Sequence, residues 1–157
     1  MSQKDIDTQV YPPNSHYTLD GLIPSKLLKE RLDLMPHKFW VGKRFLDIGC
    51  NRGFFSLYSK CEYKEAIEVD PENVKLCKSL GINVTQVSFR DYNPDKKFDR
   101  IFIGNAMHYL FRECGGWEWI AKLATISTGA VLIEAPTGMD CKDMKNVFSK
   151  NLEQKFN

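Results

Sequence analysis

The chain has 157 residues, of which 43% are hydrophobic and 27% charged, and its formal net charge is +2. This length suits one domain with a continuous core, and the composition is typical of a globular protein rather than a disordered one. No apolar run approaches the roughly 20 residues that cross a bilayer, and the polar amino-terminal residues do not resemble a secretory signal. We therefore expect a cytoplasmic protein. The weak net charge neither requires nor excludes a nucleic-acid partner.

The cysteines are odd in number and widely spaced, without a CxxC pair or a Cys/His cluster of the spacing that binds zinc. We expect reduced thiols and no metal site. The five residues are Cys50, Cys61, Cys77, Cys114 and Cys141.

The first 24 residues lack hydrophobic periodicity and contain two successive prolines, which fix the backbone without supporting a regular hydrogen-bond ladder. They predict an extended arm, residues 1–24, ahead of a single domain over residues 25–157. At the start of that domain, Ser25 can cap an amphipathic helix, and leucines at helical spacing continue the helix until Pro36.

A strand, a glycine turn and a helix follow. The short apolar run Arg44–Ile48 predicts a buried strand, and Gly53 begins the next helix. The run Lys64–Asp70 predicts a second strand, after which Asp70 can cap a helix that has Pro71 in its first turn. This succession is a β-α-β-α unit.

The remaining elements continue the alternation of strands and helices. Such alternation predicts an α/β fold with a doubly wound, mostly parallel sheet of about five strands and helices on both faces. The predicted elements are a third strand Ile82–Val87, a fourth strand Phe98–Ile103, a helix Gly116–Ile126, a turn at Thr128–Gly129 and a fifth strand Ala130–Glu134.

Distinctive residues stand at the carboxyl ends of the first two strands, where open parallel sheets bind ligands. Gly49 and Gly53 permit a tight turn and close approach of the backbone to a ligand. Asp70 closes the second strand, where a carboxylate can accept both hydroxyls of a ribose. The GxGxxG pattern of dinucleotide sites is not met, because Asn51 stands where its middle glycine belongs. A pyrophosphate is disfavoured, and Asp47 at the strand end suits an amine-bearing ligand better.

Four segments resemble, in the correct order, the motifs of class I S-adenosylmethionine-dependent methyltransferases, which have a Rossmann-like fold. Residues 45–56 are similar to the first motif, hhDhGxxxG, and residues 66–71 to the acidic motif of the second strand. Residues 98–110 resemble the fourth-strand motif, and residues 127–134 the glycine turn and fifth strand. The resemblance spans residues 42–136 and implies S-adenosylmethionine as the cofactor.

The resemblance implies a role for each matched position. Asp47 would organise the loop and the methionine amine of the cofactor, and Asp70 would hold the ribose hydroxyls. Arg52 would reach the methionine carboxylate or point to solvent. Cys50 has no evident base partner, so we interpret it as loop packing rather than a nucleophile. The backbone that would line the methionine and ribose comprises Gly49, Cys50, Asn51, Arg52 and Gly53.

The sequence departs from the family after the third strand, where family members often place an acidic residue against the adenine amine. Ser88-Phe-Arg-Asp91 occupies this stretch. Phe89 can pack on the adenine and Asp91 can approach its amine, or neither does so.

The segment after the fourth strand faces the transferable methyl group in the resembling family. It contains Asn105, which we assign to cofactor binding, and His108, which is the best candidate for a general base. A packed or solvent-facing histidine is the alternative, and methyl transfer can also proceed by alignment alone. Of the two tryptophans Trp117 and Trp119, which cannot share one helix face, we expect one in the core.

Two other groups of aromatic and basic residues can each be interpreted in two ways. Tyr11, His16 and Tyr17 either fold over the cofactor as a lid or pack elsewhere. Between Lys26 and Arg44, six basic residues and two aromatic ones form either an RNA-facing patch or, as we favour, a solvated helix face.

The carboxyl-terminal end is short for the family. Residues 140–152 have the spacing of one more amphipathic helix, and no antiparallel hairpin fits after it. The fifth strand would then be an edge of the sheet, which proteins normally cover or pair. Either the tail covers this edge, or a second copy or another partner pairs with it, or the rest of a longer protein completes the sheet.

The function that these features predict is methyl transfer to oxygen or nitrogen of an acceptor, a small molecule in preference to RNA. The alternative is a non-catalytic S-adenosylmethionine-binding module or a partner subunit of a larger methyltransferase.

Overall fold

The computed structural model describes residues 26–104, 106–116 and 118–134, without the side chains of residues 26–29 and 108. The predicted arm, the predicted helix over residues 140–152, Asn105 and Trp117 lie outside the described residues. In chain order the elements are α1 (Lys26–Asp33), a 3-10 helix (His37–Trp40), β1 (Arg44–Ile48), α2 (Phe54–Tyr58), β2 (Tyr63–Glu68), α3 (Pro71–Ser79), β3 (Val84–Gln86), β4 (Phe98–Gly104), α4 (Met107–Glu113), α5 (Glu118–Ile126) and β5 (Ser127–Glu134).

The strands form one five-stranded sheet in the order β3-β2-β1-β4-β5, and all neighbouring strands are parallel. The strand order reverses beside β1, which lies between β2 and β4. Asp47 on β1 is level with Ala66 on one side and Phe102 on the other, so the carboxyl ends of the central strands meet at one edge. The predicted α/β, doubly wound, parallel sheet is confirmed.

Both faces of the sheet are covered, as predicted. On one face, α1, the 3-10 helix and α2 pack against Phe45 and Phe102, and α3 packs against Ala66 and Val84. On the other face, residues from α4 and α5 pack on the large apolar side chains of β1, β2 and β4. Trp119 of α5 is completely buried there, which confirms the expectation that one of the two tryptophans belongs to the core. None of the described helices is long and apolar enough to cross a membrane.

Several predicted boundaries need correction, and the second strand in particular ends at Glu68 rather than at Asp70. The third strand is shorter than predicted and comprises only Val84–Gln86. The predicted turn at Thr128–Gly129 is wrong, because these residues belong to β5, which runs continuously from Ser127 and shifts register against β4. A Cβ atom on Gly129 would lie 2.4 Å from the carbonyl oxygen of Asp99, so this glycine serves close backbone approach rather than a turn.

Helix α4 was not predicted from the sequence. Its amino-terminal cap is Ala106, which makes no side-chain hydrogen bond to the helix, so the usual start signal is missing. Among its described side chains, those of Met107 and Leu110 are buried and hold it on the sheet. Packing rather than capping therefore defines this helix.

An ion pair joins the two ends of the described chain. Arg31 of α1 donates from Nε to Oε1 of Glu134 at 2.5 Å and from Nη2 to Oε2, so the pair is bidentate. The guanidinium also lies 5.5 Å from the ring centroid of Phe55 on α2. Because Glu134 ends β5 beside Gly104, this contact holds α1 at the carboxyl edge of the sheet.

We expect Arg31→Met to lower the free energy of unfolding by about 1–3 kcal/mol, because Glu134 is only 20% exposed and would lose its charged partner. Urea unfolding monitored by tryptophan fluorescence measures the change. Lys75→Met, at an exposed position on α3, is the matched control and should change stability by less than about 0.5 kcal/mol. Equal stability of the two variants would contradict the structural importance of the pair.

Candidate functional site

The loop from Gly49 to Gly53 crosses the carboxyl end of β1 and is bound to the neighbouring strand. The amides of Gly49 and Cys50 both donate to the carbonyl of Ile67, at 2.9 and 3.1 Å, and the amide of Gly53 donates to the carbonyl of Cys50 at 2.8 Å. Gly49, Asn51 and Gly53 have φ angles of 69°, 52° and 81°. Three left-handed residues within five positions produce the tight turn that the two glycines predicted.

There is no room for side chains at the two ends of this loop. A Cβ atom on Gly53 would lie 2.1 Å from Cδ1 of Ile82 and 3.1 Å from Sγ of Cys77. A Cβ atom on Gly49 would lie 3.0 Å from the Cβ atom of Ala106. At both ends the loop is therefore packed closely against the rest of the fold.

Asp47 lies beneath the loop on the face covered by α1, α2 and α3. Its side chain is 1% exposed, and its Oδ2 accepts a hydrogen bond from Oγ of Ser56 at 2.7 Å. Burial raises the pKa of Asp47 to about 7, the hydrogen bonds from Ser56 oppose this rise, and the charge of Glu68 adds to it. A nearby cation would favour the ionised form of this carboxyl group.

Glu68 is a site residue that the sequence reasoning missed. It is 8% exposed, and its carboxylate accepts from the amides of Asn51 at 2.7 Å, Val69 at 2.8 Å and Asp70 at 3.0 Å. One buried carboxylate therefore ties the loop to the end of β2. The available signal was a glutamate between Ile67 and Val69 in an apolar strand, since a buried charge requires several partners.

Asp70 is the amino-terminal cap of α3 and is exposed. Its Oδ1 accepts from the amides of Glu72 and Asn73, at 2.9 and 3.0 Å, and Pro71 occupies the first helical turn. The predicted cap is confirmed. Both cap bonds use one oxygen, so Oδ2 takes no part in the cap.

Cys50 and Cys77 are packed together under the loop. Their sulfur atoms are 3.9 Å apart, and Sγ of Cys77 donates to the carbonyl of Asn51 at 3.2 Å. The hydrogen bond with Cys77, and then burial, raise the pKa of Cys50 far above its usual range. A nucleophilic thiolate at Cys50 is therefore disfavoured, in agreement with its interpretation as loop packing.

Three other residues that the sequence suggested for cofactor binding are Arg52, Phe89 and Asp91. Arg52 is partly buried in the loop. Phe89 is 2% exposed in the core on the α4–α5 face, where Nζ of Lys122 lies 5.2 Å from its ring centroid. Asp91 is exposed and accepts from Oγ of Ser88 at 2.9 Å. Adenine contacts by Phe89 or Asp91 stay predictions.

Asn105 and the side chain of His108 lie outside the described residues, so their roles stay predictions. In the basic stretch, Phe39 and Trp40 are buried against Phe102, and Arg31 is paired with Glu134. The aromatic rings of that stretch are therefore not available for stacking on bases.

The structure thus brings Asp47, Asp70 and the loop together at the carboxyl edge of β1 and β2, and adds Glu68 to them. Carboxyl groups surround the loop, so the site suits a ligand with a cationic group. The exposed carboxylate of Asp70 is suited to accept hydrogen bonds from hydroxyls.

Several solved structures are similar to this chain. A SAM-dependent methyltransferase from Archaeoglobus fulgidus is 24% identical with a TM-score of 0.57, over 78% of this chain and 57% of that one. The N-methyltransferase NodS from Bradyrhizobium japonicum WM9, in complex with S-adenosyl-L-homocysteine, is 19% identical with a TM-score of 0.52, over 58% of this chain and 51% of that one. The plantazolicin methyltransferase BpumL, in complex with SAH, is 19% identical with a TM-score of 0.51, over 58% of this chain and 38% of that one.

The chain has the class I methyltransferase fold. The matched part amounts to 38–57% of the length of these three methyltransferases. No protein-family model matches the sequence, and no curated protein matches it either.

We expect Gly53→Ala to destabilise the protein much more than Gly81→Ala. Both glycines have a left-handed φ, which costs an alanine about 1–2 kcal/mol. Only at position 53 would the new Cβ atom also overlap a buried side chain, which adds about 1–3 kcal/mol, because the space around Gly81 is open. Urea unfolding of both variants measures the difference, and equal losses would contradict the tight packing of the loop.

The pKa of Asp47 predicts a pH-dependent stability. The folded-state pKa of about 7 exceeds the ordinary value of 3.8, so the folded protein binds more protons between these values. Stability should therefore fall as the pH rises from about 4 to 7 and level off above pH 7. The fall amounts to about 1.4 kcal/mol per unit of pKa shift. Urea unfolding between pH 4 and 8 should show a shallower decline in Asp47→Asn than in the wild type. Parallel profiles would refute the assignment.

Proposed function

We propose that the protein is an S-adenosylmethionine-dependent methyltransferase that transfers a methyl group to oxygen or nitrogen of a small-molecule acceptor. The observation that carries the proposal is the joint geometry of the loop and the end of β2, where Glu68 accepts a hydrogen bond from Asn51 and Asp70 is exposed at the start of α3. The complexes of NodS and BpumL with S-adenosylhomocysteine support the same cofactor class.

The residues at the site fit this cofactor. Asp47 offers a buried carboxyl group for the ammonium group of the methionine, whose positive charge would favour the ionised form. The backbone from Gly49 to Gly53, crowded too closely for side chains at both ends, would line the methionine and the ribose. The free Oδ2 position of the Asp70 cap would accept the ribose hydroxyls, and Arg52 would bind the methionine carboxylate.

When bound, the cofactor supplies an electrophilic methyl group on a sulfonium ion. The chain must align the acceptor with it and exclude water. We assign Asn105 to the cofactor side of this region and His108 to accept a proton from a hydroxyl or amine acceptor, since an imidazole titrates near neutral pH. Phe89 stays our candidate for packing on the adenine ring. Because its side chain is buried, its packing would have to change for this contact.

A small-molecule acceptor is favoured over RNA by the packing of the basic stretch. Phe39 and Trp40 are buried, and base stacking needs exposed rings. Strand β5 is an edge strand among the described residues, and pairing of two copies through it stays a prediction. A cytoplasmic location also stays a prediction.

Substitution of Asp70 tests the proposal. Asp70→Ser keeps an oxygen that caps α3 but removes the second oxygen and the charge, so the fold should persist while the affinity for S-adenosylmethionine falls by about 10- to 100-fold. Titration calorimetry gives the affinity, and thermal unfolding checks the fold. Asp95→Ser, at an exposed position ahead of β4, should bind like the wild type.

No binding by the wild type at millimolar cofactor would refute the proposal, as would equal affinities of the two variants. A labelled-methyl assay against pooled hydroxyl and amine compounds, with RNA as a separate pool, then tests transfer. Labelling of RNA alone would contradict the small-molecule assignment.

A further inference from the structure

Two cysteines from different elements meet at the cofactor loop. Cys50 belongs to the loop, and Cys77 lies in α3, 27 residues later. Their sulfur atoms are 3.9 Å apart, and both thiols are buried. A disulfide bond is about half this long, so the two sulfur atoms must approach each other before it can form.

The environment of this pair connects it to the shape of the loop. Sγ of Cys77 donates to the carbonyl of Asn51, the left-handed residue of the loop. The same sulfur would lie 3.1 Å from a Cβ atom on Gly53, so the loop is packed directly on it. Bonding of the two sulfur atoms would remove the hydrogen bond to Asn51 and pull Cys50 toward α3.

We propose that Cys50 and Cys77 are a site of oxidative modification, where hydrogen peroxide forms a disulfide that distorts the loop and weakens cofactor binding. The second half of this proposal rests on the proposed function, and the first does not. Cys50 is 5% exposed and Cys77 is 0% exposed, so peroxide reaches Cys50 first, and the small thiolate fraction of Cys50 attacks it to give a sulfenic acid and hydroxide. The thiol of Cys77 then attacks this sulfur, and the S–S bond forms with release of water.

The surroundings also determine the rate of this reaction. The mutual hydrogen bond and burial raise the pKa of Cys50, which keeps the thiolate fraction small at neutral pH. Oxidation should therefore be slow at pH 7 and accelerate as the pH rises. The site would respond to sustained rather than brief exposure to peroxide.

Peptide mapping tests the disulfide independently of any ligand. After peroxide treatment of the folded protein and tryptic digestion without reductant, we expect residues 45–52 linked to residues 76–78. Dithiothreitol should abolish this species, Cys77→Ala should lack it, and Cys114→Ser should retain it. Absence of the linked peptide in oxidised wild type would overturn the proposal.

Titration calorimetry tests the consequence. Peroxide-treated wild type should bind S-adenosylmethionine at least 10-fold more weakly than reduced wild type, and dithiothreitol should restore the affinity. Cys77→Ala should show the same affinity before and after peroxide, and Cys114→Ser should behave like the wild type. A linked peptide without loss of affinity would overturn the modification as a control of binding. A linked peptide in a protein whose reduced form binds no cofactor would instead refute the proposed function.

Discussion

The carboxylate of Glu68 holds together the parts on which the candidate site depends. It accepts hydrogen bonds from the amide of Asn51 in the loop and from two amides at the end of β2. A buried carboxylate without hydrogen-bond partners is costly, so the charge of Glu68 requires these three donors. The loop in turn requires the carboxylate to accept from the amide of Asn51. The position of Asp70, two residues later, follows from the same contact. One side chain therefore contacts both halves of the site.

Two acidic side chains close to each other under the loop have an energetic cost. Asp47 is nearly inaccessible to water, and the negative charge of Glu68 further disfavours its ionisation. The hydrogen bond from Ser56 offsets only part of this cost, so the pKa remains raised. A cationic ligand would relieve the repulsion between the two carboxylates, and this relief would contribute to the free energy of binding.

The sequence predicted the sheet and the loop because their signals are local. Apolar runs bounded by glycines predicted β1 and its turn, and the pattern Asp70-Pro71 predicted the start of α3. The role of Glu68 was not predicted, since its partners are amides whose positions depend on the tertiary fold. Helix α4 was missed because Ala106 gives no capping signal. Gly129 was misinterpreted as a turn residue because the feature that requires a glycine there is the close approach of the Asp99 backbone, which the sequence does not reveal.

The pairing of Arg31 with Glu134 joins residues that are 103 positions apart. Helix α1 has eight residues, which is too short for a stable helix in water by itself. Its stability therefore comes from tertiary contacts, since Leu32 packs with Phe45 and Phe102 of the sheet and Arg31 is paired with Glu134. The ion pair can contribute only when β5, the last strand in the described part of the chain, has joined the sheet. Residues from both ends of the described chain must therefore be in place before the carboxyl edge of the sheet is complete.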